Sequence, residues 1–317
     1  MAFALIYDKS ENRHPFSGSF HSDDPFKDLR GSNKINPQDK WKVFNIDVGE
    51  VETSPITSSF SGAAGNKYID NEKGTRSISI GFDIRINGLY DSQMFEEIAE
   101  QVFTSDQPFM FYRDLRPEGQ RHKDVAPNAM GYNVMKTSFE TEMVSRNKLR
   151  VSVELETVGL PYGISYGSTK DIIDKGNKLT WSQGKFGWQN YLKFDDATHE
   201  YKKDMKKGTV VKIYNPSLQK VRHYEACLHV KLSKFTNISD GLGYLRLRND
   251  TNGTDFRLEL TPSAGTVIEQ KDNIIYRNGI NEMNKSNWNF IELEKGWNDI
   301  IITGADAEAE FIFKFYN

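Results

Sequence analysis

The most suggestive chemical motif in the sequence is Gly163-Ile164-Ser165-Tyr166-Gly167. The pattern Gly-x-Ser-x-Gly is typical of serine hydrolases, in which a strand enters a strained turn before a helix and exposes the serine to an acid and a histidine. Here Pro161 interrupts the approach to the turn, and the sequence before Gly176 allows only a stub of helix. We therefore predict that residues 159–176 form a flexible linker. A cell-wall hydrolase that uses Ser165 is the weakest of three functional hypotheses.

A metal site is the second chemistry to consider, because a strand is predicted over residues 224–232, and the odd-numbered His223, Cys227 and His229 would share one face of it, with His223 just before its start. Residues two apart on a strand lie about 6.5 Å apart, so neighbours in this set could reach one zinc ion. Against such a site, Lys231 shares the face, and His223 and His229 lie about 20 Å apart. The sequence contains no second cluster with zinc-ligand spacing, and we predict neither a metal nor a cofactor.

The remaining chemically suggestive residues are acidic pairs and exposed aromatic side chains. Asp23-Asp24 and Asp195-Asp196 lie in loop-like stretches, where acidic residues are usually turn formers. Tryptophans near the start and end of the second half could stack on sugar rings, and Trp188 and Trp297 are the candidate glycan contacts. The alternative is that these rings belong to cores or interfaces. We identify no catalytic residues and expect a protein that is not an enzyme.

Composition limits the function further. The chain has 317 residues, enough for two domains, and its net charge of -3 provides no overall field that would attract nucleic acid. No apolar run reaches the length of a membrane span, so we expect no membrane partner. The first eight residues lack a basic region and are predicted to form a strand rather than a signal peptide. The single cysteine, Cys227, is consistent with synthesis in a reducing cytoplasm.

The first half of the chain has one strongly alternating segment and one amphipathic segment. Isoleucine and phenylalanine alternate with polar residues over 76–86, which predicts a half-buried strand. Residues 91–103 have an apolar stripe at helical spacing, with glutamates opposite, and predict a helix. Residues 53–74 and 114–130 are polar and are predicted to be loops, and residues 9–40 a long arm.

The second half is predicted to be β-structure throughout. Strand signals recur at regular spacing, including segments over 224–232 and 288–293, and a hairpin formed by 300–302 and 310–317 ends the chain. Such spacing is typical of a jelly-roll or related sandwich. We predict a mainly β protein with two domains, residues 1–165 and 166–317.

Together, several segments resemble the distal tail protein, the siphophage tail component of phages that infect Gram-positive bacteria. The resemblance extends from about residue 41 onward. It rests on one helix and on the segments Asp70–Gly74, Arg76–Ile84, Pro108–Tyr112, Leu149–Leu155, Gly159–Tyr162, Gly296–Gly304 and Phe311–Phe315. The polar segment 9–40 departs from the family's pattern.

The resemblance implies an N-terminal β-sandwich with one helix and a belt hairpin, followed by a galectin-like C-terminal sandwich. It also implies a homo-hexameric ring at the tip of a non-contractile tail in the virion, assembled in the host cytoplasm. The implied partners are the tail tube protein, a tail-associated protein and a receptor-binding protein, and DNA would only pass through the channel. Arg116, Arg121 and Lys123 are the candidate subunit or channel contacts. The alternative hypothesis is a lectin-like module that recognises host cell-wall polysaccharide.

Overall fold

The computed structural model describes most of the chain in two compact units, Met1–Gly163 (unit 1) and Ile164–Asn317 (unit 2). The described residues are 3–7, 13–16, 41–59, 66–87, 107–114, 130–178, 198–224, 228–239 and 241–317, with positions 92, 93, 96, 97, 100, 103 and 192. The molecule is mainly β, and each unit is considered separately below.

Unit 1 is built on a mixed set of long and short antiparallel strands. They are β1 (Phe3–Tyr7), β2 (Arg13–Phe16), β3 (Trp41–Val48), β4 (Thr53–Ser59), β5 (Asn66–Lys73), β6 (Ser77–Arg85), β7 (Phe109–Asp114), β8 (Met130–Ser145) and β9 (Lys148–Thr157). Seven of them form one sheet in the order β2-β1-β7-β8-β9-β6-β3, and β4 and β5 form a separate two-stranded pair.

The core of unit 1 follows directly from the alternating pattern. Ile80 of β6 pairs with Val153 of β9, and Phe82 pairs with Val151, so apolar side chains of both strands lie on one face. Phe103 stacks on Phe82 with ring centroids 6.2 Å apart. Positions 92, 93, 96, 97, 100 and 103 are helical, which confirms the predicted helix at its described positions.

Residues 53–74 are not the loop that the sequence suggested. β4 and β5 form a hairpin that continues the β3–β6 pair beyond the sheet, because the N–H of Gly49 donates to the carbonyl of Ser77 (2.9 Å) and that of Gly74 to Glu52 (2.8 Å). The prediction failed because β4 has little apolar alternation and contains Pro55. We call β4 and β5 the belt hairpin, after the hairpin that the family resemblance implied.

Unit 2 contains two antiparallel sheets that form a sandwich. The strands are β10 (Ile164–Ser168), β11 (Lys202–Met205), β12 (Val210–Asn215), β13 (His229–Thr236), β14 (Leu245–Asn249), β15 (Asp255–Leu258), β16 (Ile268–Lys271), β17 (Ile274–Arg277), β18 (Ile280–Asn281), β19 (Gly296–Thr303), β20 (Asp306–Ile312) and β21 (Lys314–Tyr316). One sheet has the order β11-β20-β13-β16-β17-β18, and the other β12-β19-β14-β15. β10 pairs with β21. A short helix, Thr169–Asp174, follows β10, and a 3-10 turn covers Met283–Lys285.

Two further sequence predictions in unit 2 were wrong. The predicted linker over 159–176 contains β10 and the short helix, whose capping box joins Ser168 and Asp171. The predicted strand over 288–293 is irregular, because Trp288 has a φ of 58° and the N–H of Ile291 donates to the side chain of Gln270 (2.8 Å) instead of to a neighbouring strand.

Candidate functional site

Ser165, the central residue of the hydrolase-like motif, is a structural serine. Its side chain is fully buried (0% exposed). Its Oγ donates to the carbonyl of Gly167 (2.6 Å) and accepts the N–H of Phe315 (2.9 Å). The hydroxyl thus donates within β10 and accepts from β21, and its full burial leaves no access for a substrate.

Two other hydroxyls fix the same C-terminal segment. Thr169 Oγ1 donates to the carbonyl of Phe311 (2.7 Å) and accepts the N–H of Phe313 (2.9 Å). Ser217 Oγ accepts the N–H of Tyr316 (3.0 Å). These bonds satisfy backbone groups where the chain passes from β20 to β21 and regular sheet pairing is interrupted. The phenylalanines of this segment are consequently held inside the sandwich.

The histidines of the suggested metal set have separate partners. His223 lies in a turn, and its Nδ1 is 2.9 Å from Glu292 Oε1. His229 begins β13, and its Nε2 is 3.0 Å from Glu269 Oε1. The predicted strand over 224–232 was therefore wrong at its start, and Cys227 lies outside the described residues. Within the described part of the chain, no group of three or more histidine, cysteine, aspartate or glutamate side chains could hold a metal ion.

Trp297 lies on the outer face of the four-stranded sheet, at the start of β19. It is opposite Tyr214 of β12, with ring centroids 4.9 Å apart. Buried His199 stacks on Tyr214 (4.2 Å) and lies 5.4 Å from the Trp297 ring. The Trp297 side chain remains 39% exposed. The partly exposed indole of Trp297 thus packs against the rings of Tyr214 and His199.

A buried amide pair positions the loops on either side of Trp297. Asn249 Nδ2 donates to Asn298 Oδ1 (2.8 Å) and to the carbonyl of Glu292 (2.7 Å). Asn298 Oδ1 also accepts the N–H of Glu294 (2.7 Å), and its Nδ2 donates to the carbonyls of Glu294 and Gly296 (3.0 Å each). Both asparagines are fully buried, and such satisfied networks hold backbone in one arrangement.

The belt hairpin is exposed along most of β4. Residues 52–57 are all exposed, and Ile56 of β4 is among them. At the base of the hairpin, Lys73 Nζ lies 4.8 Å from the centre of the Tyr162 ring. A two-stranded hairpin is marginally stable by itself, so a surface that covers β4 and β5 would stabilise it.

The outer face of β3 and β6 has an exposed aromatic side chain that a bulge places there. The register shifts between Val43 and Asn45, and Phe44 lies over Gly81, where a Cβ would meet the ring at 2.6 Å. Arg150 covers the ring at 4.8 Å from its centre and donates to Asp83 (3.0 Å). A side chain at position 81 would displace Phe44, so glycine is required for this arrangement.

The candidate subunit or channel contacts, Arg116, Arg121 and Lys123, lie outside the described residues, as does the candidate glycan contact Trp188. Trp297 is the candidate contact whose surroundings are described. The sequence did not indicate that Asn249 and Asn298 position its loops, because isolated asparagines are common in turns and show no periodicity. The nearest signal was the Gly296-Trp297-Asn298-Asp299 segment itself. In the described part of the chain, no helix has the length and apolarity needed to cross a membrane.

No protein-family model and no curated protein sequence match the chain. Among solved structures, the chain is similar to the Dit protein of phage SPP1, described as a paradigm of the hub adsorption apparatus in phages that infect Gram-positive bacteria. That similarity has a TM-score of 0.56 at 10% identity and covers 88% of this chain and 94% of the other.

Two structures of the phage p2 baseplate in its activated conformation, one with Sr and one with Ca, are also similar. Each match covers 99% of this chain and 98% of the other at 9% identity, with a TM-score of 0.38 that supports no argument about fold. The similarity to SPP1 Dit confirms at the level of the fold the resemblance found in the sequence: the chain has the fold of a phage distal tail protein.

Proposed function

We propose that this chain is a structural hub at the tip of the tail of a long-tailed, non-contractile phage. It forms a hexameric ring in the virion that joins the tail tube to a tail-associated protein and carries receptor-binding proteins. It performs no catalysis. The observation that carries this proposal is the similarity of fold to SPP1 Dit, which extends over 88% of this chain and 94% of that hub protein.

The belt hairpin supports assembly into a ring. Residues 52–57 are exposed on a hairpin that projects beyond the sheet, and a hairpin of this kind gains stability when another surface covers it. A ring requires two different faces of one subunit to complement each other. The rotation that relates neighbouring subunits must also return to the first subunit, so that the ring closes. The hairpin is one such face, and it reaches the neighbouring subunit.

The second face of the ring contact is the edge of the unit 1 sheet. β3 is the last strand in the sheet order, so its outer backbone groups have no partner strand among the described residues. Exposed strand edges pair readily with other chains unless they are protected. Phe44, half exposed beside this edge, adds an apolar contact. We propose that the hairpin of one subunit covers β3 and Phe44 of the next.

Replacement of Thr53–Lys73 by an Asn-Gly turn tests this proposal. Gly74 already donates to the carbonyl of Glu52 (2.8 Å), so a two-residue turn can close the shortened pair. We expect the full chain to sediment as a closed oligomer and the shortened chain as a monomer whose unit 1 still unfolds cooperatively.

The matched control is Trp288→Ala, which removes an exposed side chain of unit 2 and should leave the oligomer intact. An oligomer that persists without the hairpin would exclude the belt contact. A full chain that remains monomeric even when purified tail tubes are added would contradict the hub function itself.

A further inference from the structure

Trp297 is surrounded by polar groups that face the same side of the sheet. In the paired strands β12 and β19, Tyr214 is opposite Trp297 and Lys212 is opposite Asp299. Because the two pairs are two residues apart and strand side chains alternate, all four side chains project to the same face. Lys212 Nζ lies 4.0 Å from Asp299 Oδ1, and both side chains are largely exposed (65% and 44%). The face therefore places one donor and one acceptor beside an aromatic ring.

A second charged pair joins the end of β14 to the turn that follows it. Arg248 Nε donates to Asp250 Oδ1 (2.7 Å), and the N–H of Asp250 donates to the carbonyl of Asp299 (2.8 Å). The N–H of Asp299 donates in turn to Thr251 Oγ1 (2.9 Å). The turn is thus attached directly to β19, two residues from Trp297.

The buried amide pair beneath this surface makes it rigid. Asn249 accepts the N–H of Thr251 through its Oδ1 (3.1 Å) and donates to Asn298, whose amide holds Glu294 and Gly296. One network therefore fixes both the turn that bears Asp250 and the turn that introduces Trp297. A binding surface that is ordered before the ligand arrives loses less entropy on binding.

We infer that this surface binds a neutral oligosaccharide, with a sugar ring packed on Trp297 and its hydroxyls hydrogen-bonded to Lys212, Asp299 and Asp250. The apolar face of a pyranose matches an exposed indole, and hydroxyls both donate to carboxylates and accept from an ammonium group. The surface favours a neutral ligand, because its two cationic side chains and its two anionic side chains form two ion pairs, Lys212 with Asp299 and Arg248 with Asp250.

A protein partner fits this surface less well than a sugar. Protein interfaces deplete charged residues at their centre, whereas Trp297 is flanked here by the two exposed ion pairs. The inference is independent of the hub proposal, since a glycan site on unit 2 requires neither a ring nor a tail.

The test uses the full chain labelled with 5-fluorotryptophan, which gives one fluorine NMR resonance for each of the five tryptophans. The probes are hexasaccharides of glucose and of N-acetylglucosamine. We expect the Trp297 resonance, assigned with Trp297→Phe, to shift saturably, while the Trp288 resonance, assigned with Trp288→Phe, does not move. Calorimetry should show binding weakened about ten-fold or more by Trp297→Ala. Lys212→Met should weaken it less, and Trp288→Ala not at all.

Three results would overturn the inference. One is the absence of any saturable shift with these probes at concentrations up to about 10 mM, beyond which binding is too weak to be specific. Another is an equal response of the Trp288 and Trp297 resonances, which indicates nonspecific contact. The third is a Trp297→Ala chain with unchanged sugar affinity but altered sedimentation, which would identify the surface as a contact between copies. Because the fluorine shift is measured on the unmodified sequence, a folding defect in one variant cannot decide the outcome.

Discussion

The two units are stabilised in different ways. The described core of unit 1 is a continuous apolar cluster on one face of its sheet, and the buried polar side chains among its described residues are Ser92 and Thr157. Unit 2 has an equally apolar core but also buries many polar side chains: Ser165, Thr169, His199, Asn215, Ser217, Asn249, Thr266, Gln270, Glu282 and Asn298.

This difference indicates how each unit specifies its structure. In unit 1, alternation of apolar and polar residues places strands in register, because a slip of one residue would expose the core face. In unit 2, short strands are connected by irregular segments whose backbone groups are satisfied by side chains. Substitutions that remove apolar volume should therefore lower the stability of unit 1 most. Substitutions that remove a single buried polar group should mainly lower the stability of unit 2.

The largest effect is expected for Phe82→Ala in unit 1. Phe82 is fully buried and stacks on Phe103, so its truncation should leave a cavity and lower the free energy of unfolding by about 3–5 kcal/mol. Urea denaturation followed by hydrogen exchange resolved by unit measures this loss. Ile56→Ala, at an exposed position of the hairpin, is the control. A loss below about 1 kcal/mol would show that the core of unit 1 does not depend on this ring.

Asn298→Ala should have the next largest effect, confined to unit 2. The change leaves the N–H of Glu294 without its acceptor and removes one of the two acceptors of the buried Asn249 amide, and an unsatisfied group costs about 1–3 kcal/mol. We expect faster hydrogen exchange at residues 249–254 and 292–297 as well as lower stability. Asn289→Ala, at an exposed position, should change neither. Equal effects of the two substitutions would show that the amide pair does not position these loops.

Ser165→Ala should have a smaller effect and no effect on any activity. It removes the acceptor for the N–H of Phe315 and should cost about 1–2 kcal/mol in unit 2. Exchange at the Phe315 amide should rise, and Ser54→Ala on the exposed hairpin serves as the control. Unchanged exchange at Phe315 would contradict the structural role of Ser165, and loss of a hydrolytic activity would support the motif's catalytic interpretation.

The smallest difference between the two units is expected in how much their stability falls at acidic pH. In unit 2, hydrogen bonding from Lys285 lowers the pKa of Glu282 despite its burial. Burial raises the pKa of Glu308, but hydrogen bonds from Lys202 and Lys234 outweigh it, and the net shift is downward. A carboxyl with a lowered pKa in the folded state contributes stability above its unfolded pKa, here 4.5, and loses it as the pH falls through the folded pKa.

Unit 1 has a carboxyl of the same kind in its described part. Burial raises the pKa of Asp83, but hydrogen bonds from Lys148 and Arg150 outweigh this effect, so that the net shift of the pKa is downward. Between pH 7 and pH 3 we expect the urea midpoint of unit 2 to fall more than that of unit 1. Glu308→Gln should reduce the fall in unit 2. A larger fall in unit 1 would contradict the comparison.

The sequence predicted the structure best where alternation alone determines it. β6 was placed to within one residue at each end because its apolar side chains repeat at every second position. Phe311, Phe313 and Phe315, spaced two apart, are all buried. The predicted hairpin of 300–302 and 310–317 was wrong, because β19 and β20 pair with different neighbours in the two sheets and the last segment is divided between β20 and β21.

The prediction failed where side-chain hydrogen bonds determine the backbone, or where a strand pair has few apolar residues. The β4–β5 hairpin has few apolar residues of its own, so its pattern resembled a loop. Trp288, Phe290 and Ile291 suggested a strand, but the left-handed backbone at Trp288 and the bond from Ile291 to Gln270 exclude one. Ser165 appeared to lie in a linker because its bond to Phe315 joins residues 150 positions apart, which no local pattern can reveal.

Negative-stain electron microscopy of the purified full chain, alone and with tail tubes, is the most direct test of the hub function. The proposal expects class averages of closed rings with six-fold symmetry and a central hole, located at one end of the tubes. Single particles that neither close into rings nor bind the tube ends would contradict it.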